Sequence, residues 1–305
     1  MAETACGSPV VLLAIESRRL PQAENPGGTM IKLVLTDIDN TLIPLGADGA
    51  TDHAMRAIHA LLDAGVEFGP ATGRDIDGME RFFHGDEACW STSLISNGKL
   101  IFRHGELVKL TCLDHDAVQR LCDFVCPLED SMVLIRSDNQ DLLLGATPDL
   151  VEKCIWVLGP DIPLIDELPD TPVTACTITC VGDAERNAWL ISQVEKICPG
   201  LECLSPVPGC YDVVPRGWNK ATALAELMRI MGVSPEELVV FGDSENDVPI
   251  LKMVPNSVAV ANAMPVAAEA ARYHIGSCPD DAVADALFDI AESTRRGEMP
   301  SFMRQ

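Results

Sequence analysis

From Met30 onward, short apolar runs alternate with longer amphipathic stretches. That rhythm predicts strands alternating with helices, and hence an α/β fold. "IKLVLTD" reads as the first strand. Thr51 can cap a helix to about Asp63, with Ala54, Ile58, Leu61 and Leu62 on one face and Gly65 closing it. "VEFGPATG" predicts a second strand that ends at Thr72 and Gly73. After a short helix, "SLIS" predicts a third strand, and "NGKLIFRHGELV" a hairpin.

The pattern changes between about 110 and 213. It predicts helices over 114–125, 148–157 and 183–197, with strands near 132–136, 141–145, 174–181, 201–205 and 210–214. Proline-rich loops such as "GPDIPLIDELPDTP" punctuate this stretch. The reading is an α+β module inserted into the first domain. The earlier rhythm then resumes with a helix over 218–231, the almost wholly apolar strand "LVVFGD", the strand "SVAVAN" and a last helix over 280–291. A strand that is apolar throughout suits a parallel sheet covered on both faces. The expected organisation is therefore a flexible extension over 1–29, core over 30–109, an α+β module over 110–213 and core again over 214–305. The core is expected to be a doubly wound, Rossmann-like parallel sheet.

Two strands end in acids. Asp37 and Asp39 follow the first, and Asp243, Ser244, Asn246 and Asp247 follow "LVVFG". Strand ends in a parallel sheet share a rim, so both clusters and Thr72 should meet there. Gathered carboxylates repel unless a cation sits among them, and oxygen-only donors favour a hard ion such as Mg²⁺. Lys220, at the start of a helix, and Arg74, after Thr72 and Gly73, are candidate cations for an anionic group. Arg74 could bind substrate or pair with a rim acid.

Charge and composition narrow the choice of ligand. A formal net charge of −24 over 305 residues argues against nucleic acid or anionic lipid as a general partner. No apolar run approaches a membrane span, and no secretory signal is visible, so a cytoplasmic protein is expected. The twelve cysteines form no CxxC pair and the six histidines are scattered. The expectation is thus buried thiols and no zinc site. His53 and His59 are read as surface residues, and His84 and His104 show no catalytic spacing.

"DIDNTL", "ATGR", Lys220 in "PRGWNKATAL" and "GDSENDVPIL" occur in order. Together they resemble the four motifs of the haloacid dehalogenase superfamily of phosphohydrolases. "SNG" at 96–98, the inserted module and "VAVANAMPVAAEAA" resemble its Cof-type branch, with a class II subtype B cap. The likeness spans about Met30 to Ile290. It implies that Asp37 attacks phosphorus to form an aspartyl-phosphate, while Asp39 protonates the leaving oxygen and then activates water. It implies Mg²⁺ held by Asp37, the main-chain carbonyl of Asp39 and Asp243, with Asp247 in support. Phosphoryl contacts would come from the Ile38 amide, Thr72, Gly73, Lys220 and Asn246, and Asn97 would either touch substrate or only make a turn. The family most often has glycine where this chain has Asn40, a residue that tolerates left-handed backbone.

The resemblance implies a Mg²⁺-dependent phosphatase for a small phosphomonoester, sugar phosphates first and phosphorylated cofactors behind. A phosphomutase of the same fold and a non-catalytic phosphometabolite-binding regulator are the alternatives. The module over 110–213 would choose the substrate, with Arg136, Asp138 and Asn139 on a loop that equally suits a solvated turn. Oligomeric state is not legible in the sequence.

Overall fold

The computed structural model describes residues 30–304, apart from 139, 155–161 and 208. The expected extension over 1–29, Asn139 and the end of the helix expected over 148–157 therefore lie outside the described residues. The chain divides into two compact units, and within the described residues the second is Leu110–Trp218. Residues 214–218 belong to this inserted unit and not to the core, as the sequence reading had it. The reason is local: its last strand runs on to Pro215, and the Arg216 guanidinium then donates to the Pro199 and Leu201 carbonyls at 2.6 and 2.8 Å.

The first unit is built on a five-stranded parallel sheet. Its strands are β1 (Leu33–Thr36), β2 (Glu67–Pro70), β11 (Leu238–Gly242), β12 (Ser257–Ala259) and β13 (Tyr273–His274), in the order β13-β12-β11-β1-β2. β1 and β11 are buried along their whole length, as strands covered on both faces must be. β1 registers Leu33 with Leu238 on one side and with Glu67 on the other. The chain moves one way from β1 to β2 and the other way through β11, β12 and β13. The strand order therefore reverses at β1, and the crevice at such a reversal is where α/β sheets take ligands.

Helix α1 (Asp52–Asp63) is capped by Thr51, whose hydroxyl accepts from the Ala54 amide at 3.0 Å. It packs on α9 (Ala282–Arg296), which extends beyond the expected 291 because Gly297, at φ 66°, supplies the left-handed stop. Helix α2 (Ile76–Phe82) and a 3-10 turn (Glu87–Trp90) lead to β3 (Ser93–Ile95), which bridges β2 in parallel through Ala71 and Leu94. β3 then pairs antiparallel with β4 (Leu100–Arg103), followed by β5 (Glu106–Leu110), the hairpin expected from the sequence.

The inserted unit is a five-stranded sheet in the order β7-β6-β8-β10-β9, antiparallel throughout. Its strands are β6 (Ser131–Ser137), β7 (Gln140–Leu144), β8 (Val173–Cys180), β9 (Leu201–Val207) and β10 (Cys210–Pro215). Helices α3 (His115–Val125) and α5 (Ala184–Ile197) pack on each other and share its core. Cys122, Cys176, Cys180 and Cys198 are buried in that core and are not in disulfides. Arg136 is engaged by Asp141 at 2.8 Å across the β6–β7 hairpin, and Asp138 supplies its left-handed turn at φ 49°.

Candidate active site

β1 and β11 are neighbours, so the acids that follow them are neighbours too. Asp37 leaves β1 with its amide still bonded to the Phe241 carbonyl at 3.0 Å, and Asp243 follows β11 directly. Lys220 arrives from the far side of the sequence as the first residue of α6 (Lys220–Met231). Asn219 fixes that start, accepting from the Ala221 and Thr222 amides, while Thr222 returns a bond to the Asn219 amide. The expected start at 218 thus moves to 220, and the cap presents the lysine inward.

The Lys220 ammonium donates to one oxygen of Asp37 and one of Asp247, each at 2.6 Å, with the lysine side chain only 1% exposed. The other Asp247 oxygen accepts from the amides of Asp243 and Ser244 at 3.1 Å. Asp243 accepts from the Thr41 hydroxyl at 2.9 Å. Gly242 explains the glycine of "GDSEND": a Cβ there would stand 2.6 Å from the Cβ of Asp247. Only a glycine lets this carboxylate fold back under its own loop.

Burial raises the Asp37 pKa to about 7; Lys220 opposes the rise, and Asp247 and Asp243 add to it. Asp243 is raised to about 6, again chiefly by burial, with the Thr41 hydroxyl opposing. Burial would lower the Lys220 pKa, but the two facing carboxylates outweigh it and the net direction is up. Both partners of one ion pair thus shift upward. Lys220 faces two carboxylates, while Asp37 shares its one cation with Asp247 and Asp243. Lys220 is therefore charged, and Asp37 holds a proton more readily than an exposed aspartate does.

Asp37, Asp243 and Asp247 offer oxygens within 4.8 Å of one another, all buried. Three carboxylates against one ammonium leave negative charge uncompensated in a desolvated place. An all-oxygen set of this kind fits a hard divalent ion and not a thiophilic one.

Asp39 is held apart from this group. Both of its oxygens accept from the Arg74 guanidinium, at 2.8 Å each, with the two side chains 33% and 46% exposed. Of the two fates open to Arg74, the structure places it on a rim acid. The turn carrying Asp39 closes through Asn40 at φ 59°, the left-handed conformation expected of it. The Asn40 amide oxygen accepts from the Leu45 amide at 3.1 Å.

Thr72 is buried at the end of β2 and accepts from the Arg74 amide at 3.1 Å. Asn97 is buried beside Gly73, with φ 55° and its amide bonded to the Thr72 carbonyl at 2.8 Å. It thus makes a turn and also faces the "ATG" loop. The Ile38 side chain is fully buried in the core. Asn246 is exposed, and its side chain takes the Ser244 hydroxyl at 2.7 Å, so the hydrogen bonds do not draw it into the carboxylate cluster.

Three contributors were missed in the sequence. Thr41 steadies Asp243. Asn262 bridges the Asn40 carbonyl and the Cys278 amide at 2.7 Å each, tying the first motif to the last loop. Lys99 is buried just after Asn97. Thr41 and Lys99 lie inside or beside quoted motifs, which was the available signal. Asn262 carried none beyond its motif.

The chain matches the model of haloacid dehalogenase-like hydrolases over residues 34–287. It is 40% identical to the HMP-PP phosphatase of Citrobacter koseri, over 85% of this chain and 95% of that protein. It is 23% identical to the 5-amino-6-(5-phospho-D-ribitylamino)uracil phosphatase YbjI of Escherichia coli, over 84% and 95%. Among solved structures, a phosphatase of the haloalkanoate superfamily from Bacteroides thetaiotaomicron superposes with a TM-score of 0.73. That match has 20% identity and covers 88% of this chain and 98% of the other. With motifs, sheet order and the buried lysine–carboxylate cluster in agreement, the chain belongs to the haloacid dehalogenase-like hydrolases, as a Cof-type phosphohydrolase.

Proposed function

We propose that the protein is a Mg²⁺-dependent phosphatase of small phosphorylated metabolites, working through a phosphoryl group carried on Asp37. The observation that supports it most is the Lys220 ammonium shared between Asp37 and Asp247, with Asp243 beside them. A buried lysine at a strand-end carboxylate is suited to hold a phosphoryl oxygen while that carboxylate attacks. Asp37, Asp243 and the Asp39 carbonyl would hold Mg²⁺, with Asp247 in support. Bound there, Mg²⁺ would offset the charge of the transferring group.

The chain's own residues then divide the work. An Asp37 oxygen forms the bond to phosphorus as the ester oxygen leaves. Asp39, with one oxygen released by Arg74 to carry a proton, gives that proton to the leaving oxygen, and in the second half takes one from the water that attacks the phosphoaspartate. Arg74 keeps Asp39 on the rim, and Thr72 and the Gly73 amide face the phosphoryl oxygens. Sugar and polyol phosphates are the substrates to try first; the ribityl phosphate in the name of the Escherichia coli relative supports that order. Phosphorylated cofactors and their precursors follow.

The test is phosphate release across a panel of phosphorylated metabolites, with and without Mg²⁺. Turnover of at least one monoester should require Mg²⁺ and vanish in Asp37→Asn. Oxygen from labelled water should appear in the released phosphate. Failure to turn over any ester, or activity surviving in Asp37→Asn, would overturn the reading.

A further inference from the structure

A second group of metal-ligating side chains shares no residue with the rim acids. β3 lies beside β2, joined to it in parallel through Ala71 and Leu94, and starts at Ser93. The 3-10 turn Glu87–Trp90 leads into that start and packs against α1. There His59, Asp86 and Cys89 offer a nitrogen, an oxygen and a sulfur, all within 4.8 Å of one another.

Each donor is fixed by a different local cause. Asp86 caps the turn, one oxygen accepting from the Ala88 amide at 3.2 Å, which aims the other at the His59 Nε2, 2.7 Å away. Cys89 is fully buried, with its sulfur within 4.8 Å of the Asp86 and His59 donor atoms. His59 reaches in from α1 with its side chain 49% exposed, leaving one side open to water. A histidine–aspartate pair alone would be an ordinary surface ion pair. A buried sulfur within reach of the same carboxylate is what that explanation leaves over.

We propose that His59, Asp86 and Cys89 bind one borderline divalent cation of the zinc class, clasping α1 to the turn before β3. The mixed nitrogen, oxygen and sulfur set suits zinc and is poorly matched to Mg²⁺. Around a tetrahedral ion with bonds of about 2.0–2.3 Å, donors stand roughly 3.3–3.8 Å apart. The His59–Asp86 pair must therefore open by about half an ångström, which a half-exposed side chain permits. Water completes the coordination from the open side. As sulfur bonds to the metal, the thiol proton leaves to solvent. Histidine and cysteine here are far apart in the sequence, so spacing alone gave no sign of zinc.

Cobalt(II) substituted for zinc makes the sulfur visible. Titration of the full chain should give a thiolate-to-cobalt charge-transfer absorbance that saturates at one equivalent and is displaced by Zn²⁺. The same band should appear in Asp243→Asn, which separates it from the rim acids. It should be absent in Cys89→Ser, and His59→Gln, a surface change that leaves the fold alone, should weaken cobalt binding by at least about tenfold. Zn²⁺ should raise the melting temperature of Asp243→Asn and not of Asp243→Asn/Cys89→Ser. No charge-transfer band in the wild type, an undiminished band in Cys89→Ser, or unchanged affinity in His59→Gln would each overturn the proposal.

Discussion

Lys220 and Arg74 both bind aspartates that end the same strand region, yet their surroundings differ in kind. Lys220 is 1% exposed and serves two buried carboxylates through single contacts. Arg74 is 46% exposed and grips one half-exposed carboxylate through two parallel bonds. Coulomb attraction between unit charges rises steeply as water is excluded, and so does the penalty for removing one partner. The buried pairing is thus bound up with the stability of the core as well as with chemistry. The rim pairing mainly fixes where one carboxylate points, because water screens the rest.

The contrast can be broken in several ways. The largest expected effect is on turnover: Asp37→Asn should cost at least about 10⁴-fold in kcat on any ester the wild type hydrolyses, measured by phosphate release. Lys220→Met comes next. It leaves Asp37 and Asp247 facing each other without their cation, and should destabilise the fold by about 3–5 kcal/mol. Denaturant unfolding in the absence of metal measures this, and a loss under about 1 kcal/mol would put the lysine's importance in chemistry alone.

A pH series without divalent ions tests the same buried group more gently. Asp37 is raised from 3.8 to about 7 in the folded chain. Between those values the native state keeps a proton that the unfolded chain has released, so stability is highest below about pH 4 on this account and falls as pH climbs to about 7. The contribution is on the order of 4 kcal/mol, and Asp243, raised to about 6, acts in the same direction. Mg²⁺ should bind more tightly as pH rises through this window, because it displaces the retained proton. Calorimetric titration at several pH values would check the sign. The smallest effect belongs to Arg74→Ala: stability should move by under about 1 kcal/mol, while kcat falls by about tenfold through a looser Asp39. Equal losses of stability in Arg74→Ala and Lys220→Met would erase the distinction between the two pairings.

Much of this half of the molecule was readable beforehand. A strand apolar at every position can only lie in a covered parallel sheet, and acids at its end can only lie on the rim; β1, β11, Asp37 and Asp243 follow from that. The helix caps at Thr51 and the left-handed turn at Asn40 were legible because side-chain chemistry and backbone conformation are coupled locally. What was not legible depends on contacts between residues far apart in sequence. Arg74 had two plausible partners until β2 was laid beside β1. Thr41 meets Asp243 only because β1 and β11 pair, and Asn262 meets Asn40 only because β12 ends on the same rim. Asn246 is engaged locally instead: the hydroxyl of Ser244, two residues away, takes its side chain.

The strand order also sets a timetable. β1 is made early, but its neighbour β11 begins at Leu238, after the whole inserted unit. At ribosomal speeds of about 5–20 residues per second, β1 waits roughly 10–40 s for that neighbour. During that interval one edge of β1 has no strand to pair with, and Asp37 has no Lys220. The inserted unit, contiguous and with all its strands in hand by Pro215, has no such wait. The nascent chain is therefore expected to fold its inserted unit before its reactive centre, and to be most vulnerable to misassociation just before β11 leaves the ribosome.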